Sequence, residues 1–312
     1  MKSNEPLQIV ILSGKGGTGK TSLTGAFAHL LSSSKSTGQA ILVDADVDAA
    51  NLSLLVKPDQ SVQKEFWGGF LAVIEPALCS GCGQCQTVCR FDAVFPHPDH
   101  SGKYWIDPIA CDGCAACKTV CPESAITMER QQEGVWFEST TGFGTLFHAE
   151  LFPGRENSGK LVTLLRHKAR LLAEDTHTPL VIIDGPPGIG CPVISACTGV
   201  DYGILVTEPG LAGLHDLKRI WATLQHFHIP SGICINKADI YENGRNEILE
   251  FAAQKGISIL GEIPFDEHIP LSISQGVPVT HAFPGSPAAA AIQKIWEASL
   301  QKSGSNKGGE LT

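Results

Sequence analysis

Leu7-Gln8-Ile9-Val10-Ile11-Leu12 runs directly into Ser13-Gly14-Lys15-Gly16-Gly17-Thr18-Gly19-Lys20-Thr21, and a helix-like stretch follows to about Leu31. An apolar strand, a glycine loop and a helix in that order are the parts of a phosphate loop. Glycines let backbone amides curl around phosphate oxygens at the helix N-terminus, Lys20 reaches the terminal phosphates, and the Thr21 hydroxyl can hold magnesium. The candidate nucleotide contacts are therefore Gly14, Lys15, Gly16, Gly17, Thr18, Gly19, Lys20, Thr21 and Ser22. Further buried-strand runs lie at Ala40–Val43, Leu180–Ile183, Ile204–Thr207, Gly232–Ile235 and Ile257–Leu260, with helical stretches between them. That alternation predicts an α/β fold, a doubly wound parallel sheet with its ligand at the carboxyl ends of the strands.

The rhythm breaks between about 70 and 130. Eight of the eleven cysteines fall there, as Cys79-x2-Cys82-x2-Cys85-x3-Cys89 and Cys111-x2-Cys114-x2-Cys117-x3-Cys121-Pro122. The spacing resembles that of a bacterial two-cluster ferredoxin, in which the fourth cysteine of each run ligates the other cluster. By that likeness one [4Fe-4S] cluster takes Cys79, Cys82, Cys85 and Cys121, and the second takes Cys111, Cys114, Cys117 and Cys89. The first run departs in one place, with Arg90 where the second has Pro122. The segment Cys89-Arg90-Phe91-Asp92-Ala93-Val94 echoes Cys121-Pro122-Glu123-Ser124-Ala125-Ile126, as an internal duplication does. Disulfides are the competing use of such cysteines, but no signal peptide precedes the glycine loop, which predicts a reducing, cytoplasmic location. Zinc has no use for the third and fourth cysteines of each run. The expected organisation is an ATPase part over 1–69, an inserted ferredoxin-like α+β domain over 70–130, the rest of the ATPase over 131–302, and a disordered Gly/Ser/Lys-rich tail over 303–312.

Lys15 makes the loop KGGTGKT. This resembles the deviant Walker A motif of the MinD, ParA and nitrogenase iron-protein ATPases, where the extra lysine reaches a partner subunit's nucleotide. The resemblance extends along most of the chain and assigns roles. Asp44-Ala45-Asp46 is similar to switch I, which implies that Asp46 orients the attacking water and Asp44 supports the magnesium site. Asp184-Gly185-Pro186-Pro187-Gly188 is similar to Walker B and switch II, so Asp184 would hold the metal's water shell and Gly188 would sense the terminal phosphate. Asn236 stands where the superfamily contacts the base, and Glu262-Ile263-Pro264-Phe265 resembles the loop that closes over adenine. Asn236-Lys237-Ala238-Asp239 also spells the guanine-reading NKxD, whereas the Lys15 loop favours ATP. The implied catalytic set is Lys15, Lys20, Asp46 and Asp184, with Thr21, Asp44 and Asp184 around Mg2+.

Cys191 lies at the offset where the nitrogenase iron protein holds a cluster shared between subunits. The place expected for its companion ligand carries Asn157, so a filler role for Cys191 and Cys197 is expected, and Cys234 reads as core. A formal charge of −9 with no basic run excludes non-specific nucleic-acid binding. Seven acids against four bases between 70 and 130 predict a redox partner with an electropositive face. Ala288, Ala291, Ile292, Ile295, Trp296 and Ser299 recur at helical spacing and predict a helix packed on the sheet, not one inserted in a membrane. The family resemblance implies an ATP-bound homodimer, or a heterodimer with a similar ATPase. Two functions fit: coupling of ATP turnover to electron transfer through two clusters, or an ATP-dependent cluster carrier or redox-sensing regulatory ATPase.

Overall fold

The computed structural model describes residues 5–34 and 38–307. Its strands are β1 (Leu7–Ser13), β2 (Ala40–Asp44), β3 (Gln60–Ile74), β4 (Val94–Pro96), β5 (Tyr104–Ile106), β6 (Ile126–Thr141), β7 (Gly144–Leu151), β8 (Leu180–Pro187), β9 (Tyr202–Thr207), β10 (Ser231–Asn236) and β11 (Ser258–Ile263). Among the described residues, nine of them form one sheet in the order β11-β10-β9-β1-β8-β2-β7-β6-β3, and β4 pairs with β5. The ladders linking β11, β10, β9, β1, β8, β2 and β7 are all parallel. Every residue of β1, β2 and β9 is buried. That explains their continuous apolar runs, since both faces of a parallel sheet are covered by helices.

The helix Lys20–Ser33 packs Leu23, Phe27 and Leu31, spaced by four, into the main core. Phe27 is fully buried, with its ring 4.9 Å from that of Trp296. Trp296 lies on the last helix, Pro287–Lys307, whose Ala288, Ile292 and Ile295 join the same core. No helix among the described residues is long and apolar enough to cross a membrane.

Three expectations need correction. The chain divides into a larger unit (through Lys64, Trp136–Glu150 and from Ser158 on) and a smaller one (Glu65–Val135 with Leu151–Asn157). The boundaries at 70 and 130 are therefore too narrow, because they fall inside β3, which leads into the cysteine runs, and inside β6, which leads out of them. Second, β6 and β7 are joined by only Gly142-Phe143, a two-residue connection that suits an antiparallel hairpin, so the sheet is mostly rather than wholly parallel. Third, the tail expected from 303 begins inside the last helix. Ser303 is buried and donates its hydroxyl to the Ser299 carbonyl at 2.8 Å, which carries the helix on to Lys307. Residues 308–312 lie outside the described residues.

Phe27→Ala should cost about 3–5 kcal/mol of stability, because the surrounding core cannot refill the ring's volume. Urea unfolding followed by circular dichroism reads this as a lower midpoint. A midpoint shift worth less than about 1 kcal/mol would place Phe27 outside the packed core.

Candidate functional site

Within the larger unit, the expected nucleotide residues gather at the carboxyl edge of the sheet. Gly17 and Gly19 adopt φ of 76° and 96°, in the left-handed region that a Cβ disfavours. A Cβ on Gly19 would also fall 2.5 Å from Asn236 Nδ2, and one on Gly14 would fall 2.4 Å from Asp216 Cβ. The helix beginning at Lys20 carries no side-chain cap and no acidic residue in its first turn. Its N-terminal amides are thus left to an anion. Thr18 Oγ1 is buried with no partner among the described residues, a polar atom that a ligand would satisfy.

Asp44 ends β2 and is the direct register partner of Asp184 on β8. Asp44 accepts hydrogen bonds from the backbone amides of Leu52 (2.9 Å) and Asp46 (3.2 Å). Asp184 accepts from the Thr24 hydroxyl at 3.2 Å and from that of Thr21. Burial pushes both carboxyls above the usual range, and for Asp44 the neighbouring Asp184 adds to it. Burial also raises Asp46, with Lys20 opposing. Lys20 is 6% exposed and donates to Ser13 Oγ at 2.9 Å. Its pKa is lowered by burial, against the pull of Asp184, Asp46 and Asp44. Two buried carboxylates and the Thr21 hydroxyl are hard oxygen donors, a set that fits Mg2+ completed by phosphate and water.

Other side chains depart from a simple picture. Gly188, at φ 87°, donates its amide to the Ser13 carbonyl at 3.2 Å. Lys15 pairs within its own subunit: its Nζ lies 3.1 Å from Glu208 Oε2, while Glu208 Oε1 takes Lys237 Nζ at 2.6 Å. The two ammonium groups hold the Glu208 carboxyl below its usual value despite partial burial. Sequence reasoning missed Glu208. Its one signal was its place just past β9, at the edge where such sheets bind ligands. Asn236 is buried and braces the loop, donating from Nδ2 to the Thr18 carbonyl at 2.8 Å and accepting the Lys237 amide at 3.0 Å. Beside it, Ala238, Asp239, Glu242, Arg245, Glu262 and Pro264 line an open cavity of about 420 Å³. Asp239 accepts the Phe265 amide at 2.7 Å, and Arg245 binds Glu262 through two bonds of 2.6 and 2.9 Å.

The smaller unit is built as two matching halves. Each residue of the first cysteine run has its counterpart 32 positions later. The backbone follows the sequence. Gly81 and Gly113 have φ of 77° and 70°, Gly83 and Ala115 75° and 63°, Asp92 and Ser124 49° and 52°. Short helices Gln84–Val88 and Ala116–Val120 correspond. A Cβ on Gly81 or Gly113 would meet a carbonyl oxygen, Gly102 or Phe70, at 2.1 Å, so close approach as well as φ requires glycine there. Cys79, Cys82, Cys85 and Cys121 line one cavity, and Cys89, Cys111, Cys114 and Cys117 line another. The fourth cysteine of each run has crossed to the other's cavity. Among the described residues no three His, Cys, Asp or Glu are placed to hold a single metal ion. The amides of Ala93 and Ala125 each reach a cysteine sulfur, Cys89 and Cys121, at 3.4 Å. Burial raises the thiol pKa of Cys85 and Cys117, so ligation there must displace protons.

Of the remaining cysteines, Cys197 and Cys234 are fully buried and pushed up to about 12 by that burial, as core residues are. Cys191 is exposed, which overturns its reading as a filler. In the smaller unit, Asn157 donates to the buried Glu133 carboxylate at 2.7 Å.

Residues 9–279 match the CobQ/CobB/MinD/ParA nucleotide binding domain family, and the chain belongs to it. The uncharacterized protein MJ0578 of Methanocaldococcus jannaschii is 32% identical over 87% of this chain and 89% of its own length. An iron-sulfur cluster carrier protein of Aquifex aeolicus is 29% identical, over 37% of this chain and 35% of its own. Among solved structures, the septum site-determining protein MinD of Pyrococcus horikoshii OT3, complexed with Mg-ADP, aligns over 96% of this chain and 98% of its own at a TM-score of 0.55 and 20% identity, a likeness of fold.

The raised carboxyls give a pH test. Asp44 and Asp184 bind their proton more tightly folded than unfolded, so their stabilising share is full below the ordinary carboxylate range and is lost as pH rises through the raised values, about 6 for Asp184 and about 8 for Asp44. Ligand-free protein should melt lower at about pH 8 than at about pH 5, and Asp184→Asn should flatten that slope. Magnesium with nucleotide should restore the loss at the higher pH in the natural sequence only. Parallel slopes for the two proteins would contradict the assignment.

Proposed function

We propose that this chain is an ATPase that couples nucleotide binding and hydrolysis, through a dimeric switch, to electron transfer by two [4Fe-4S] clusters. The observation that carries this is the crossed division of eight cysteines between two cavities, in a chain that also assembles a phosphate site. A void ringed by four thiols suits a cube of iron and sulfide better than a lone ion. When bound, each cluster would accept and release one electron.

At the nucleotide site the chain's own groups divide the work. The amides of Gly16 to Thr21 and the Lys20 ammonium bind the phosphates; Thr21, Asp44 and Asp184 supply oxygen to Mg2+ and its water shell. Asp46, on the loop after β2, orients water for in-line attack by accepting its hydrogen bond. Gly188 exchanges the Ser13 carbonyl for the terminal phosphate, moving switch II. Lys15 leaves Glu208 to stabilise charge developing on the partner subunit's nucleotide. Asn236 keeps one amide hydrogen for the base, next to the cavity that Pro264 lines. An acidic cluster unit suits a redox partner presenting positive charge.

A second reading, an ATP-dependent cluster carrier, is favoured by the partial likeness to the Aquifex aeolicus carrier. Release of iron to an apo-acceptor on ATP addition would select it; retention with reversible reduction selects electron transfer.

Anaerobically prepared protein should hold about eight iron atoms per chain, four for each ligand set. Cys85→Ser should lose one cluster's signal and keep much of the other. Four irons in the natural sequence would defeat the two-cluster assignment.

Asp46→Ala should bind ATP without turning it over and accumulate as a dimer with magnesium. Adding Lys15→Ala should leave binding intact and abolish the dimer, measured by light scattering. A normal hydrolysis rate for Lys15→Ala alone would remove the case for a dimeric switch.

A further inference from the structure

The two cysteine cavities share backbone geometry, so any difference between their clusters must come from the residues that do not ligate. Those residues differ in charge. At the cavity of Cys79, Cys82, Cys85 and Cys121, Lys103 Nζ donates to the carbonyl of the ligand residue Cys79. Tyr104 lines the same cavity, its hydroxyl 3.2 Å from where a Cβ on Gly83 would stand. The spacer after the first cysteine of this run is Ser80. At the other cavity the corresponding spacer is Asp112, and Phe91 stands among its lining residues where the first cavity has Tyr104, while both cavities share an apolar lining. The cations on this side stand off the ligands: Arg90 and Lys118, which follow Cys89 and Cys117, are exposed, and the Arg155 guanidinium meets the Pro108 carbonyl at 3.1 Å, three residues before the first ligand rather than on it. The 32-residue repeat offers no copy of Lys103, since that place is Val135.

Reducing a four-iron cluster adds one negative charge. A nearby ammonium and hydroxyl stabilise that charge, and a nearby carboxylate opposes it. We infer that the clusters have unequal potentials: the site of Cys79, Cys82, Cys85 and Cys121 is the electron's resting place, and the Asp112 site is the low-potential one. This rests on the proposed two-cluster function. One electron from a low-potential one-electron reductant then settles on the Lys103 side. Transfer between sites oxidises the Asp112-side cluster by one electron and reduces the other by one, with no atom moved.

The test is a potentiometric titration of the iron-loaded full chain, mediated by viologen dyes and followed by electron paramagnetic resonance. Two separate one-electron waves are expected. Lys103→Gln should lower the upper wave by about a tenfold change in its equilibrium, about 59 mV for one electron, and leave the lower in place. Asp112→Ser, which installs the other run's spacer at an exposed position, should raise the lower wave and spare the upper. If Lys103→Gln loses iron, Asp112→Ser decides alone. Eight irons with a single unresolved wave, or a lower wave that Asp112→Ser does not raise, overturns the inference and leaves the clusters standing. Fewer than eight irons in the natural sequence defeats the underlying two-cluster reading instead.

Discussion

The constraint on which the larger unit turns is the burial of like charge at one sheet edge. Asp44 at the end of β2 and its register partner Asp184 on β8 hold their carboxyls out of water, and Lys20 enters the same space from the phosphate loop. One ammonium cannot neutralise three acids when Asp46 is counted. The site therefore favours a proton or a divalent ion, and magnesium carried by a nucleotide meets that demand. Much else serves this arrangement. Ser13 holds Lys20, Thr24 holds Asp184, and the amides of Leu52 and Asp46 hold Asp44. Asn236 and the bare Cα of Gly19 keep the loop in place.

Beside these, Gly188 donates its amide to the Ser13 carbonyl, and Lys15 pairs with Glu208. The Gly188 contact is of a kind that phosphate can replace with a stronger, charge-assisted one. An amide bonded to a carbonyl loses little by moving to an oxyanion. A partly exposed ion pair is worth on the order of 1 kcal/mol or less, a small barrier to release. Glu208 holds Lys237 as well as Lys15, so its carboxylate does not depend on Lys15 alone for a partner.

Most of this site was legible because glycine, lysine and aspartate act there through backbone geometry and charge, which leave fixed spacings. The six strands predicted around the loop are all present, since buried parallel strands read as apolar runs. The rest was hidden for physical reasons. The residues of β3 from Gln60 to Glu65 are exposed, so its first half carries no apolar signal, and the cysteine-rich stretch appeared to start later than the unit does. Glu208 is a single acid whose partners are distant in sequence, and no spacing rule finds such a pair. The polar tail from 303 was read by composition, yet its first residues continue a helix whose hydroxyls bond back to the preceding turn. Cys191 was taken for a small apolar residue, but it opens a short helix in an exposed turn.

If nucleotide and clusters are coupled, linkage demands reciprocity: a nucleotide that shifts cluster reduction must itself bind oxidised and reduced protein unequally, by the same factor. The direct measurement is the dissociation constant of Mg·ATP for the Asp46→Ala protein, by anaerobic calorimetry, with clusters oxidised and then reduced. The account predicts two different constants, and no such difference when the cluster ligands are removed. Equal constants in the two redox states of iron-loaded protein would contradict coupling between the phosphate site and the cysteine unit.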